Sequence, residues 1–201
     1  MNNSPAQSKM SPLATAALMA RRDAGTALSA MSQILLLVFG VLALAVSANV
    51  KLPFYPVPLT LQTLVVMVIG MSYGTRLGGV TILSYLSVGA LGAPVFAGGA
   101  GMVYFAGPTG GYLIGFFVAA IVLGHLAERG WSHSILTTAL SMLIGTAIIY
   151  AIGLTWLAQL IGFEKAITLG LVPFIYGDTL KLVIASLGMP YAWSIVGKMI
   201  K

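Results

Sequence analysis

Apolar residues fill this chain in long runs, and its few charges fall between them. Residues 24–50 form an uncharged run of 27, and residues 52–75 one of 24. A further 51 residues, 77–127, carry no formal charge, and 130–163 add 34 more. A membrane-spanning helix takes about 20 apolar residues. The runs therefore predict one span starting near Leu28, two within 77–127 around a glycine-rich segment at 92–111, and a fifth near 135–157. Pro53, Pro56 and Pro58 cannot sit in a helix interior, so the second helix is expected to begin near Pro58. The last run starts at Ala166 and is broken only by Asp178 and Lys181, with Pro173 and Gly177 marking a break. Counting back about 20 residues from Lys198, or about 30 Å of helix, reaches Asp178. Asp178 is thus expected as the N-cap of a sixth helix at the membrane edge. Lys181 follows one turn deeper on the same face, and residues 167–176 form a short outer helix or re-entrant piece.

Composition agrees with six spans. The 201 residues are 59% hydrophobic and 7% charged, with a mean hydropathy of +1.00. This excludes an ordinary soluble domain, and six spans leave no room for an extra-membrane catalytic domain. No G-x-x-x-x-G-K-[ST] phosphate loop occurs, and the only Gly-Lys pair, Gly197-Lys198, is followed by Met199. Energy for any transport must come from a gradient or another subunit. The absence of cysteine excludes a disulfide framework and thiolate chemistry.

The net charge of +6 suits membrane orientation better than nucleic-acid binding. With both termini cytoplasmic, Lys9, Arg21, Arg22, Arg76, Arg129, Lys198 and Lys201 lie inside, against Lys51 and Lys165 outside. That is the pattern of a multi-pass cell-membrane protein. Residues 1–26 are expected as a cytoplasmic tail with a short interfacial helix, and 27–201 as a single transmembrane domain. Val46-Ser47-Ala48 resembles a signal-peptide cleavage site, but more than twenty residues precede the apolar run and the run is too long for a signal core.

Charges at membrane depth are costly and normally face the bundle interior. Two readings of Asp178 and Lys181 follow: they only satisfy one another, or they frame a polar ligand site. Three other features converge on the same outer face: the loop at 49–58, Gln62, and the turn Gly98-Gly99-Ala100-Gly101, where glycines allow close backbone approach. His125 and His133 have no carboxylate or thiolate at ligand spacing, and they belong to the opposite face from Asp178, so neither a metal site nor a Ser-His-Asp triad is expected. No cofactor is expected. Gly107, Gly111, Gly115 and Ala119, and Gly70, Gly74 and Gly78, read as small-residue seams for helix packing. Trp131 and Trp193 suit an inner aromatic belt.

Three separated motifs carry a family resemblance. The first is Pro53-Phe54-Tyr55-Pro56-Val57-Pro58-Leu59-Thr60-Leu61-Gln62-Thr63-Leu64. The second runs from Gly89-Ala90-Leu91-Gly92-Ala93-Pro94-Val95-Phe96-Ala97-Gly98-Gly99 to Gly107-Pro108-Thr109-Gly110-Gly111-Tyr112, and the third from Pro173 to Gly177-Asp178-Thr179-Leu180-Lys181. In order and spacing the chain resembles the BioY family of biotin transport proteins, the substrate-binding S-components of energy-coupling-factor (ECF) transporters. The resemblance implies an all-α, six-helix S-component bundle and biotin held near the outer face. It also implies separate ATPase and transmembrane coupling subunits as partners. Asp178 and Lys181 match the family's polar pair on the last helix. Gln62 and the backbone at Gly98, Gly99 and Gly101 stand beside that pair, and Tyr55, Tyr85, Phe96 and Tyr112 are candidates to cover the apolar parts of the ligand. The family often reads Gly-Gly-x-Gly-Gly in its glycine loop, where Met102 here takes the last place. The small-residue docking face of helix one is reduced to fragments such as Ala43 with Ser47. The alternatives are an S-component for another vitamin and an intramembrane enzyme using Asp178.

Overall fold

The computed structural model describes residues 25–199, so the expected N-terminal tail up to residue 24 falls outside the described residues, as does the side chain of Trp193, and the last two residues of that tail already belong to the first helix. Helix α1, Gly25–Asn49, opens the bundle. It buries one narrow stripe at Leu44, Ser47 and Ala48 and leaves Leu35, Phe39 and Val46 on its outer side. In a membrane such an apolar outer face meets lipid tails rather than water.

The chain then makes a short antiparallel hairpin, β1 (Lys51–Leu52) against β2 (Leu59–Thr60), pairing Lys51 with Thr60 and Leu52 with Leu59. The second helix consequently starts at Gln62 and not near Pro58. Residues 53–58 turn the chain back on itself, so the prolines lie in the hairpin loop. The Thr60 hydroxyl accepts the Gln62 backbone N–H at 3.2 Å, which satisfies one of the free donors of the first turn.

Helix α2, Gln62–Ala90, is two helices joined end to end, with Gly74 at φ 78°, ψ −178° between them. That conformation suits glycine and little else. A Cβ placed on Gly78 would lie 3.4 Å from the Cα of Gly70. Eight residues of straight helix would put these positions about 12 Å apart, so the chain reverses at Gly74 and its two legs lie side by side. Glu128 fixes this turn by accepting the Thr75 backbone N–H at 2.8 Å.

After a glycine-rich loop come the short helix α3 (Met102–Ala106) and the central helix α4 (Gly110–Glu128). Next is α5 (Ile135–Ile161), whose N-cap Ser134 accepts from the N–H of Thr137 at 3.3 Å. The small-residue seams serve this core. A Cβ on Gly70 would meet the Ala120 carbonyl at 2.9 Å, and one on Gly115 would meet the Ile149 Cα at 2.9 Å. Helix α4 is thereby wedged between α2 and α5, with Leu113, Phe116, Ala119 and Leu123 buried.

Helix α6 (Phe163–Gly170) and a 3₁₀ turn (Val172–Phe174) lead into α7 (Ile175–Met199). Among the described residues five stretches are long and apolar enough to cross a membrane, Gln62–Ala90 being one of them. Because that stretch folds back at Gly74 into two legs, the described residues form an all-α bundle of six main helices.

Candidate ligand site

One end of the bundle gathers the hairpin, the glycine loop and the start of α7. Pro173 in the 3₁₀ turn sets the entry to α7, which begins three residues before Asp178. Asp178 therefore lies within the first turn and is not the N-cap. Its carboxylate turns inward, where Asp178 and Lys181 are 7% and 5% exposed.

Lys181 Nζ donates to Asp178 Oδ1 at 2.7 Å and to Thr63 Oγ1 at 2.9 Å. The Tyr150 hydroxyl donates to Asp178 Oδ2. Residues of α2, α5 and α7 thus converge on one buried ion pair. Two bare charges here would be expensive, and the pair persists because each partner is hydrogen-bonded as well as neutralised. Two of the three ammonium donors of Lys181 are used, and the third has no partner among the described residues.

A second polar chain fixes Gln62, itself 4% exposed. Its Nε2 donates to the Tyr85 hydroxyl at 2.6 Å, which donates in turn to the Val95 carbonyl at 2.9 Å. The Thr60 hydroxyl donates to Gln62 Oε1 at 3.3 Å. This network holds the carboxamide face in place beside Thr63.

Gln62, Thr63, Asp178 and Lys181, with Thr60 and Thr109, form the polar part of a cavity whose other walls include Val57, Leu113, Phe116, Ile149 and the rings of Tyr104, Tyr112, Tyr150 and Phe174. The Tyr112 hydroxyl is tied to the Gly170 carbonyl at 2.9 Å, and its ring meets Tyr150 edge-on at 6.2 Å. Tyr150 and Phe174 stand 6.5 Å apart. An apolar cavity with a few fixed polar groups is the usual form of a small-molecule site.

The structure brings Asp178, Lys181, Gln62 and Tyr112 to this wall and sorts the other sequence candidates differently. Tyr85, fully buried, stands behind Gln62 and outside the lining. Phe96 is core: it packs edge-on to Tyr85 at 5.5 Å and stacks on Tyr104 at 5.0 Å. Tyr55 is 88% exposed on the hairpin loop and lines neither cavity. Gly98 and Gly99 line a second, outer cavity that shares Pro58, Tyr104 and Thr109 with the inner one. A Cβ on Gly99 would lie 3.1 Å from the Tyr104 ring, so the glycines make room for that ring. Gly101 precedes α3, donates its N–H to the Gly89 carbonyl at 2.7 Å and lines neither cavity. Thr63, Tyr104 and Tyr150 escaped sequence reasoning. A mid-span tyrosine, whose hydroxyl needs a partner inside the membrane, was the available signal for Tyr150.

The BioY family model matches residues 14–198. The chain belongs to the BioY family. It is 43% identical over 142 residues to a probable biotin transporter BioY of Pyrococcus horikoshii, covering 70% of this chain and 83% of the relative. It is 40% identical over 157 residues to the biotin transporter BioY of Rhizobium etli, covering 73% and 83%. The biotin transporter BioY of Thermotoga maritima is 40% identical over 148 residues, covering 72% and 85%. In fold, the chain resembles a crystal structure of the S-component for biotin from an ECF-type ABC transporter. The TM-score is 0.71 at 23% identity, over 85% of this chain and 95% of the other. BioY membership and the apolar helices together make this a multi-pass membrane protein.

Proposed function

We propose that this chain is the biotin-binding subunit of an uptake transporter, taking biotin from the outer face and moving it inward when coupled to separate ATPase and transmembrane coupling subunits. The carrying observation is the buried Lys181–Asp178 pair at the wall of an aromatic cavity, in a chain whose relatives are named biotin transporters. The absence of a phosphate loop in this sequence and the resemblance to an S-component support external ATPases. Family membership sets aside the intramembrane-enzyme reading.

The geometry favours one pose. Lys181 and Asp178 sum to zero charge, so the floor they form suits a neutral group with donors and acceptors side by side. The ureido ring of biotin is such a group: its carbonyl accepts from Lys181 and an N–H donates to Asp178. The thiophane and valeryl carbons then face Phe116, Tyr112 and Phe174, and Gln62 lies alongside. The glycines at 98 and 99 act through Tyr104, between the outer and inner cavities.

Thermal stabilisation of the purified protein tests this directly. A ligand at about 100 times its Kd adds about 2.7 kcal/mol to the folded state. Biotin is expected to raise the melting temperature while riboflavin and thiamine do not. A shift with either of those, and none with biotin, would assign the site to another vitamin.

A further inference from the structure

We infer that Lys51 is the cation that receives the ligand carboxylate at the mouth of the cavity; this deepens the biotin reading above and rests on it. Lys51 lies on β1, and its ammonium donates to the backbone carbonyl of Ala97, 46 residues away in the glycine loop. Ala97 is 5% exposed and lines the same cavity as Asp178 and Lys181. The Lys51 ammonium, itself outside the lining, is therefore tied by a neutral group to a residue that lines the site.

Among the described residues its charge is uncompensated: the only salt bridge there is Lys181–Asp178. Of the four acidic residues in the sequence, Asp178 is already paired, Glu128 holds Thr75 at the other end of the bundle, and Glu164 lies on α6. Asp23 falls outside the described residues. Lys51 and Lys165 are both exposed and outside the cavity lining, but of the two only Lys51 is hydrogen-bonded, among the described residues, to a residue that lines the cavity.

The ligand demands such a cation. With its ureido ring on the neutral pair, biotin brings one negative charge into a site whose floor supplies no net positive charge. An unpaired anion at a partly desolvated mouth is costly, and a flexible ammonium one hydrogen bond from the lip removes that cost. The carbonyl of Ala97 occupies one of the three donors of Lys51, leaving the others for a carboxylate.

The test compares biotin with uncharged biotinamide on the purified full chain in nanodiscs, for wild type, Lys51→Gln and Lys51→Arg, with ligand-free melting temperatures alongside. A charge-assisted hydrogen bond predicts that Lys51→Gln weakens biotin binding about tenfold to a hundredfold. Biotinamide affinity is expected to change less than about twofold, within the reach of small local adjustment, and Lys51→Arg to keep most of the biotin affinity. Equal loss for both ligands would reduce Lys51 to a loop tether and overturn the inference, as would no loss for either. If wild type binds biotinamide as tightly as biotin, the carboxylate site is disproved while the biotin reading stands. If wild type binds neither, the biotin reading fails first and carries this inference with it.

Discussion

Tyr150 on α5 donates its hydroxyl to the Asp178 carboxylate on α7, taking the oxygen that Lys181 leaves open. The ion pair is thereby stitched to a neighbouring helix as well as to itself. Tyr150→Phe keeps the ring that packs against Tyr112 and Phe174 but removes the donor. Biotin affinity is expected to fall by about 1.5–3 kcal/mol, the usual worth of a hydrogen bond to a charged group. Titration calorimetry beside a melting curve reads both effects, and unchanged affinity would show that the carboxylate is positioned without it.

The pair itself separates a structural role from a ligand-holding one. If Lys181 and Asp178 only satisfy each other, either single change strands a buried charge and destabilises the protein, and a neutral double change restores it. If they hold the ureido ring, Lys181→Met and Asp178→Asn each weaken biotin binding by about 1.5–3 kcal/mol, and the double variant stays defective. Dissociation constants for the two singles and the double decide between them. Wild-type affinity in the double variant would remove the pair from the site.

Two glycine substitutions are expected to fail in different ways. Gly99→Leu pushes on the Tyr104 ring between the cavities, so binding should weaken more than folding does. Gly115→Leu drives a side chain into the Ile149 backbone, 2.9 Å from where its Cβ would sit, so loss of monodisperse protein is the expected result. Size-exclusion profiles and biotin titrations of both proteins check the contrast.

Topology follows from the lysine and arginine asymmetry. A reporter enzyme fused after Lys201 is expected to be active only when it is a cytoplasmic type, and one inserted beside Gly98 only when it is an external type. The reverse pattern would put the cavity on the wrong side for uptake.

Most of the bundle was legible because fourteen charged positions in a chain this apolar have few places to go. Uncharged runs located the helices, and the reversal within 62–90 was implied by fitting two spans either side of Arg76. The helix starts were harder. Pro58 allows a helix to begin without requiring one, and the pairing of Leu52 with Leu59 that delays it to Gln62 is a contact between segments. Asp178 was found by its cost in a membrane, yet counting residues from Lys198 misses the α7 start at Ile175 because Pro173 and the 3₁₀ turn set it from the other side. Thr63 and Tyr150 reach Asp178 across 115 and 28 residues, a distance over which periodicity carries no information. Gly98 and Gly99 were legible as a place for close approach, but the approaching group is Tyr104.

The reversal at Gly74 has a consequence for the surrounding bilayer. At 1.5 Å per residue, the legs 62–73 and 75–90 are about 18 and 24 Å long, while α1 with its 25 residues reaches about 37 Å. A hydrocarbon core of about 30 Å is therefore matched on one flank of the protein and undershot on the other. Lipids beside the hairpin must shorten to reach Arg76, just past the turn, which makes acyl-chain length a term in the protein's own energetics: thin bilayers favour this shape and thick ones strain it.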